Sequence, residues 1–274
     1  MTTSISATTA LCGILLHPAG HTRSPAMHNA AFEALGIDAS YLAFDVHPDD
    51  LEAALSGARA LGVRQLAISL PHKIAVLDHL DEVDSVAQAI GAVNTVTFDG
   101  GRARGTNTDW LGAVEALERE APIAQQHAVV LGAGGTARSV VYGLLQRGAT
   151  VSVLNRTEAR AEELAAELGA QQAGPLASLK STAYDLLVNT TSVGLRSDRS
   201  PVAPSDLREQ AVVLDAVYDP ETTRLLRDAQ AAGAATVQGK WMLVYQAAEQ
   251  LRIWTGKEAP LEIMAAAFDR AGSD

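Results

Sequence analysis

Short apolar runs alternate with amphipathic stretches along this chain of 274 residues. A short apolar run bounded by turn residues predicts a buried strand, and apolar residues three and four positions apart predict a helix. The first part of the chain has predicted strands at 11–16, 40–44 and 65–70 and predicted helices at 25–35 and 49–61. Strands that alternate with helices in this way indicate an α/β fold with mostly parallel sheets.

The middle of the chain predicts a hairpin followed by further strands and helices. Residues 92–98 and 102–105 flank Asp-Gly-Gly at 99–101, which is a turn signal between two strands. A predicted helix at 108–120 leads to Pro122, beyond which a new unit is expected to begin. Its buried strands are predicted at 128–131, 151–154, 184–189, 212–216 and 235–238.

A Gly-rich turn between two of these strands is the most informative segment. The apolar strand at 128–131 runs into Gly132-Ala133-Gly134-Gly135, and a helix and a second strand follow. In a dinucleotide-binding fingerprint the first glycine permits the tight bend and the second lets the backbone approach the pyrophosphate. The amides at the start of the helix then face the anion. This context predicts a Rossmann-type dinucleotide site.

The residues after the second strand indicate which dinucleotide is bound. An NAD enzyme usually places Asp or Glu there to bind the ribose 2'-hydroxyl. This chain has Asn155 followed by Arg156, with Arg160 one helical turn further on. Because a guanidinium suits a 2'-phosphate, the predicted cofactor is NADP.

The end of the chain completes the expected domain organisation. After Gly239 two helices are predicted, at 241–255 and 260–271. We expect them to pack back on the first part of the chain. The predicted fold class is therefore two α/β domains, with a Rossmann-type NADP-binding domain at 110–238 inserted into a discontinuous substrate-binding domain formed by 1–109 and 239–274.

Composition and charge exclude several other classes of function. The net charge is −11 with no cluster of Lys and Arg, so no nucleic-acid partner is expected. Cys12 is the single cysteine and the histidines lack carboxylates at ligand spacing, so no metal site is predicted. A polar start without a basic region and the lack of a long apolar stretch predict a cytoplasmic protein with no membrane partner.

Three polar segments carry candidate chemistry, although each has an ordinary structural interpretation. Thr22 and Ser24 precede a helix, where Ser24 could act as an N-cap. Lys73 follows a strand end, where a lysine is usually solvated, and residues 105–110 contain Asn107 and Thr108, either of which could cap the next helix.

Taken together, these segments resemble the shikimate dehydrogenase family across nearly the whole chain. Seven segments are similar to family motifs and occur in family order, at 22–29, 68–73, 91–95, 105–109, 189–194, 215–220 and 239–247. The resemblance implies reversible reduction of 3-dehydroshikimate to shikimate by NADPH, a step towards chorismate and the aromatic amino acids. Its partner would be this small-molecule substrate, and the protein would be a monomer or a homodimer.

The resemblance also implies roles for individual residues. Lys73 would donate the proton to the forming alkoxide, and Asp109 would orient it. Thr22 and Ser24 would bind the substrate carboxylate, with Tyr218 near them. The ring hydroxyls would be held by Ser69, Asn94, Asp109 and Gln246. The cofactor would be bound by Gly132, Ala133, Gly134, Gly135, Asn155, Arg156, Thr157 and Arg160, with Gly239 and Met242 near the nicotinamide.

Three departures from the family pattern concern substrate binding. Thr22 replaces a common Ser, Ser69 replaces the usual Thr, and Ala67 stands where Asn is common. Two alternatives therefore stay open. One is a dehydrogenase of the same superfamily acting on quinate or another cyclic hydroxy acid, and the other is a non-catalytic NADP-binding sensor. Arg156 argues against the quinate branch, and the presence of Lys73 and Asp109 argues against a sensor.

Overall fold

The computed structural model describes residues 5–272 and divides into two compact units. The first unit contains the residues up to Thr108 together with those from Gln246 onwards, and the second is Asp109–Tyr245. The chain thus leaves the first unit, builds the second as one continuous segment, and then returns to the first.

The first unit contains a mixed sheet of six strands. Its elements before Thr108 are β1 (Ala10–Leu16), α1 (Ser24–Leu35), β2 (Ala39–Asp45), α2 (Leu51–Ala60), β3 (Gln65–Ile68), β4 (Glu82–Val83), α3 (Ser85–Ile90), β5 (Thr95–Asp99) and β6 (Arg102–Thr106). The strand order is β2-β1-β3-β5-β6-β4. The pairs β1–β2, β1–β3 and β4–β6 are parallel, whereas β5 is antiparallel to both β3 and β6.

Local sequence signals explain where several of these elements begin and end. Helix α1 has Pro25 in its first turn and ends at Gly36, which has a φ of 64° in the left-handed region. Helix α3 begins after Asp84, whose carboxylate accepts the Ala87 N–H at 2.7 Å. The predicted hairpin is confirmed as β5 and β6, joined through Gly100 and Gly101, which both have positive φ.

The second unit contains a fully parallel sheet of six strands. Its elements are α4 (Asp109–Glu118), β7 (His127–Leu131), α5 (Gly135–Gln146), β8 (Thr150–Asn155), α6 (Glu158–Leu168), β9 (Gln172–Pro175), β10 (Leu186–Asn189), β11 (Val212–Asp215), α7 (Arg224–Ala231) and β12 (Ala235–Gln238). All five strand pairs are parallel, in the order β12-β11-β10-β7-β8-β9. Buried apolar residues cover both faces, as a parallel sheet requires.

This strand order is that of a doubly wound Rossmann sheet, and it confirms the expected α/β fold class. The first strand of the unit, β7, lies next to the fourth, β10, and the order runs outwards from this pair in both directions. Ligands of such sheets bind outside the carboxyl ends of the strands at this switch point. The residues that follow β7 and β10 are therefore candidates for ligand binding in this unit.

The last two helices are α8 (Gly239–Thr255) and α9 (Leu261–Arg270). The division between the two units falls inside α8, between Tyr245 and Gln246. Helix α9 packs against α1, and the Arg23 guanidinium lies 4.4 Å from the centre of the Phe268 ring. The first unit is therefore closed by the end of the chain packing on its beginning.

Candidate active site

The Gly-rich turn lies at the switch point of the parallel sheet. Gly132 follows β7 with a φ of 113°, and a Cβ there would come within 2.6 Å of the Thr190 hydroxyl. That hydroxyl donates to the Leu131 carbonyl at 2.7 Å, so it packs directly against the turn. A side chain at position 132 would be excluded both by the backbone conformation and by the neighbouring loop.

The glycine two positions further on has the opposite environment. Gly134 is the N-cap residue of α5 without a side-chain cap, and a Cβ at this position would meet no atom within 4 Å. Gly135 begins the helix and is buried, while Ala133 is half-buried. The space beside Gly134 at the start of the helix is therefore open, which suits the close approach of a pyrophosphate group to the helix N-terminus.

The residues expected to select the cofactor lie on the surface after β8. Asn155 ends the strand, and its side-chain amide donates to the Thr157 carbonyl at 2.9 Å. Arg156, Thr157 and Arg160 are exposed. Within residues 5–272 neither Arg156 nor Arg160 forms an ion pair, so both guanidinium groups can meet a phosphate.

The two residues expected near the nicotinamide lie at the start of α8. A Cβ on Gly239 would approach the carbonyl oxygens of Asp215, Ala216 and Val217 to between 2.6 and 2.8 Å. Only glycine permits this close contact between the helix start and the end of β11. Met242 is 6% exposed and packs in the apolar core of the second unit.

The hydroxyls of Thr22 and Ser24 lie beside each other at the start of α1. The Thr22 hydroxyl donates to the Ser24 hydroxyl at 3.2 Å and accepts the Ser24 N–H at 3.3 Å. Ser24 is buried and Thr22 is half-buried. Ser24 is the first residue of α1, and the position before it is Arg23, so Ser24 does not act as the N-cap suggested by the sequence.

The segment that carries Ser69 and Lys73 follows β3 as a compact turn. The His72 N–H donates to the Ser69 carbonyl at 2.8 Å, and the Val93 N–H donates to the Lys73 carbonyl at 2.8 Å. Lys73 is 9% exposed, so it is not the solvated lysine that a strand end usually carries. Burial lowers the pKa of the adjacent His72, whose Nε2 lies 2.9 Å from the Val46 carbonyl oxygen.

Asn94 and Gln246 meet although they are far apart in the sequence. The Asn94 side-chain amide donates to Gln246 Oε1 at 3.2 Å and to the Thr108 hydroxyl at 2.9 Å. The Thr108 hydroxyl donates in turn to the Gln246 backbone carbonyl at 3.0 Å. All three side chains are buried, so the first unit contains a polar cluster that apolar core packing does not require.

The remaining two expected site residues belong to the second unit. Asp109 is the first residue of α4 and is 4% exposed. Tyr218 is half-buried in the loop that follows β11. Asp109 thus lies at the beginning of a helix and Tyr218 in a loop, and binding residues commonly occur at such positions.

Several functional candidates were missed by sequence reasoning. Thr95 and Gln250 extend the polar cluster of the first unit, because the Gln250 amide donates to the Thr95 hydroxyl at 2.9 Å. Asp215 and Thr223 form a second buried pair, with 2.6 Å between their oxygens. The available signal was a polar residue inside or directly after an apolar strand, as in Leu-Asp at 214–215.

Residues 5–272 contain neither a metal-binding cluster nor a membrane-spanning helix. Within that range no group of three or more His, Cys, Asp or Glu side chains is arranged to hold a metal ion. Over the same residues, no helix combines the length and the apolar character that crossing a membrane demands.

Three family models match consecutive parts of the chain. The shikimate dehydrogenase substrate binding domain matches residues 14–96, and the shikimate / quinate 5-dehydrogenase model matches residues 115–199. The shikimate 5'-dehydrogenase C-terminal domain matches residues 239–267. The matched segments fall in the first unit, the second unit and the last two helices.

Individual relatives are similar over almost the entire length. A shikimate dehydrogenase (NADP(+)) from Haloarcula marismortui is 46% identical over 92% of this chain and 96% of its own. The crystal structure of shikimate 5-dehydrogenase from Thermus thermophilus in complex with NADP(H) and shikimate is 41% identical, with a TM-score of 0.90 over 96% of this chain and 99% of that one.

A third relative has a similar fold, although its name gives a different substrate and a different cofactor. The quinate dehydrogenase from Corynebacterium glutamicum in complex with NAD is 33% identical, with a TM-score of 0.87 over 96% of this chain and 99% of that one. The fold alone therefore does not separate these activities. Identity of 46% to one relative over 92% of the chain, and the ordered match of three family models, nevertheless show that the chain belongs to the shikimate dehydrogenase family.

Proposed function

We propose that this protein is an NADP-dependent shikimate dehydrogenase that reversibly reduces 3-dehydroshikimate to shikimate with NADPH, on the route to chorismate and the aromatic amino acids. The observation that carries the proposal is the convergence of expected substrate residues in the first unit. The Lys73 segment is hydrogen-bonded to Val93 at 2.8 Å, and the adjacent Asn94 contacts Gln246 at 3.2 Å. Relatives that are 46% and 41% identical to this chain carry the name shikimate dehydrogenase.

The substrate is anchored by its carboxylate and its ring hydroxyls. Thr22 and Ser24 offer two adjacent hydroxyls for the carboxylate, and Tyr218 adds a phenol. Ser69, Asn94, Asp109 and Gln246 provide the polar atoms for the ring hydroxyls. Asn94, Asp109 and Gln246 are buried, so the site is expected to discriminate strongly among hydroxy acids, because a substrate lacking one hydroxyl leaves a buried group unpaired.

Lys73 and Asp109 are proposed as the catalytic pair. When bound, the nicotinamide supplies or accepts the hydride, while the protein supplies position and the proton. In reduction, Lys73 donates a proton to the alkoxide oxygen that forms on the substrate, and in oxidation it takes the proton back. Asp109 orients the ammonium group and balances its charge. General acid catalysis of this kind contributes roughly 10²- to 10⁴-fold.

We propose residues 110–238 as the NADP-binding domain and the segments 1–109 and 239–274 as the substrate-binding domain. The second unit, Asp109–Tyr245, contains this NADP-binding domain together with Asp109 and the beginning of α8. The glycines of the turn after β7 allow the backbone to approach the pyrophosphate, and the exposed Arg156 and Arg160 suit the 2'-phosphate. Gly239 and Met242 are proposed to lie beside the nicotinamide.

One observation keeps a second substrate under consideration. Ala67 is buried in β3 and pairs with Thr95 of β5, so a small apolar side chain stands where the family commonly has Asn. A smaller, less polar side chain there relaxes the demands on the ring substituents. Turnover of quinate or another cyclic hydroxy acid is therefore the alternative to measure.

The proposal is tested by following NADPH absorbance with the purified protein. Shikimate with NADP, shikimate with NAD, quinate with NADP and quinate with NAD are compared under the same conditions. The proposed function requires the highest kcat/KM with shikimate and NADP. Faster turnover of quinate would replace the proposed substrate, and binding of NADPH without turnover of either acid would indicate a sensor.

A cytoplasmic location and a monomeric or homodimeric state are proposed as well. The unpaired thiol of Cys12 is buried and suits a reducing compartment. Light scattering after size-exclusion chromatography measures the mass directly and separates the two oligomeric states.

A further inference from the structure

A carboxylate is buried at the carboxyl end of β11, in the second unit. Asp215 Oδ1 accepts the side-chain amide of Asn189 at 2.8 Å and the Val217 N–H at 3.0 Å, and Oδ2 accepts the Thr223 hydroxyl at 2.6 Å. The side chains of Asn189, Asp215 and Thr223 are all 0% exposed. The carboxylate therefore has three donors and no contact with solvent.

Among the residues that the structure describes, no cationic side chain compensates for the burial of this charge. Among residues 5–272 Asp215 takes part in no ion pair, and the groups that face its oxygens are Asn189, the Val217 N–H, Thr223 and Gly194, none of which titrates. Burial raises the pKa of Asp215 to about 6, although all three donors oppose the shift. Burying a carboxylate is unfavourable, so core packing by itself does not account for Asp215 at this position.

The donors to Asp215 show what the carboxylate holds in place. The Val217 N–H lies at the beginning of the loop after β11, and Thr223 lies at its end, where its hydroxyl also accepts the Leu226 N–H at the start of α7. One side chain thus fastens both ends of the segment 216–223. Tyr218 lies between the two attachment points.

Other contacts show that this loop is fixed along its length. The Arg196 N–H donates to the Asp219 carbonyl at 2.8 Å, and the Arg196 guanidinium donates to the Asp219 carboxylate at 2.9 Å. On the other side, Gly239 packs against the carbonyl oxygens of residues 215–217. The loop therefore joins the end of β11 to the start of α8.

We propose that Asp215 is a positioning residue that holds the segment 216–223 so that Tyr218 is presented to the carboxylate of the substrate. The inference rests on the proposed function, in which Tyr218 helps to bind that carboxylate. Asp215 itself does not touch the substrate in this proposal. It acts by accepting three hydrogen bonds at once, which a neutral side chain of the same shape cannot do.

An amide at this position would lose one of the three hydrogen bonds. The oxygen of Asn could accept from Asn189 and from the Val217 N–H, but its NH₂ group would face the Thr223 hydroxyl, which already accepts the Leu226 N–H. The hydroxyl proton of Thr223 would then have no acceptor. The end of the loop would be released while the overall packing stays similar.

The first experiment compares Asp215→Asn with Asp185→Asn. Asp185 is a matched control, because it accepts the His127 N–H at 2.8 Å at the opposite end of the same sheet and is exposed. We expect Asp215→Asn to raise the KM for shikimate on the order of 10-fold, which corresponds to the loss of one hydrogen bond to a charged group. NADPH affinity, measured by fluorescence titration, and the parameters of Asp185→Asn stay close to the parent.

A pH profile separates positioning from a general loss of stability. Protonation of the Asp215 carboxyl removes acceptor capacity, so kcat/KM for 3-dehydroshikimate in the parent falls as the pH drops through about 6. The Asp215→Asn variant has no carboxyl at this position, so its kcat/KM does not show that decrease near pH 6. An identical decrease of kcat/KM at low pH in parent and variant overturns the inference.

The Thr223→Val and Thr223→Ser pair provides a milder test if Asp215→Asn does not fold. Serine keeps the hydroxyl that donates to Asp215, whereas valine removes it with little change of shape. We expect the KM for shikimate to rise in the valine variant and to return towards the parent value in the serine variant. Equal KM values in parent, valine and serine proteins, all folded by circular dichroism, overturn the inference.

Failure of the inference is distinguishable from failure of the proposed function. If the parent does not turn over shikimate, the proposed function is wrong and the inference falls with it. If the parent is active and folded variants keep its KM, only the role of Asp215 is wrong. A loss of NADPH affinity equal to the rise in KM would also reject the specific role of the loop in substrate binding.

Discussion

Asn94 and Thr108 bind each other through two hydrogen bonds. The Asn94 side-chain amide donates to the Thr108 hydroxyl at 2.9 Å, and its oxygen accepts the Thr108 N–H at 2.8 Å. The oxygen also accepts the Thr95 hydroxyl at 2.8 Å. These partners fix the orientation of the Asn94 amide. Its NH₂ group faces the Thr108 hydroxyl and Gln246, and its oxygen faces the Thr108 N–H and Thr95.

Loss of the Thr108 hydroxyl is expected to weaken substrate binding. Thr108→Val leaves the Asn94 amide without one acceptor and the Gln246 carbonyl without one donor, which destabilises the buried cluster by about 1 to 3 kcal/mol. We expect a higher KM for shikimate and a lower melting temperature. Thr108→Ser, which keeps the hydroxyl, should restore most of both values, and a valine variant with parental KM would contradict the role of this cluster.

Removal of the Lys73 ammonium group is expected to abolish most turnover. Lys73→Ala and Lys73→Met both lack the proton donor, and the second keeps most of the side-chain length. The rate of reduction should fall by roughly 10²-fold or more, because general acid catalysis is lost. NADPH affinity from fluorescence titration should change little. A Lys73→Ala enzyme within a few-fold of the parent would end the assignment of Lys73 as proton donor.

The hydroxyls of Thr22 and Ser24 are expected to act mainly in binding. Their double replacement by Ala removes both donors to the substrate carboxylate, a group that is bound alike in ground and transition states. The KM for shikimate should therefore rise more than kcat falls. Steady-state kinetics at saturating NADP measure both parameters, and a loss confined to kcat would exclude carboxylate binding by these residues.

Arg156 is expected to determine the preference for NADPH over NADH. The charge-assisted hydrogen bond from its guanidinium to a phosphate contributes about 1.5 to 3 kcal/mol, so Arg156→Ala should weaken NADPH binding roughly 10- to 150-fold. NADH binding should be almost unchanged because NADH lacks the 2'-phosphate. Equal use of NADH and NADPH by the parent protein would contradict this prediction.

The buried His28 is expected to make the first unit sensitive to acid. Its ring stacks on Tyr41 with 4.1 Å between centres, and burial lowers its pKa from 6.5 to about 4, with Gln250 opposing part of the shift. Between these pH values the unfolded chain binds the proton and the native protein does not. The free energy of unfolding therefore falls as the pH drops from 6.5, by about 3 kcal/mol at pH 4.

Replacement of His28 tests this assignment. His28→Phe keeps a ring against Tyr41 but cannot take up a proton, so its stability should decline less between pH 6.5 and 4. Urea unfolding at several pH values measures the difference. His47→Phe is a control because His47 is exposed. Parallel stability profiles for the parent and His28→Phe would show that His28 does not cause the acid sensitivity.

Much of the fold was visible in the pattern of the sequence, because strands and helices are set by neighbouring residues. The apolar run before Gly132 predicted β7, and the turn at 99–101 predicted the hairpin of β5 and β6. Short or irregular elements were missed. Strand β4 has two residues, Glu82 and Val83, which are too few for any periodicity to be detected.

The role of a single side chain in the site was predictable only where a sequence motif also indicates the strand or helix next to which that side chain lies. Gly132 and Arg156 follow strands at fixed positions, so their sequence neighbours indicate their environment. Asp215 belongs to a segment that resembles a family motif, at 215–220, but that motif indicated no role for its carboxylate. Its partners Asn189 and Thr223 are 26 and 8 residues away, and nothing local shows that their side chains meet inside the protein.

The sequence by itself determined the elements, the dinucleotide fingerprint and the family resemblance, because these depend on residue types at short, fixed spacings. Only the tertiary structure decided that β7 lies between β8 and β10, and that Asn94 contacts Gln246 across 152 positions of the chain. Such contacts arise when the apolar faces of distant elements are buried together. Local periodicity specifies which face is buried, but the partner of that face is selected by packing of the whole unit.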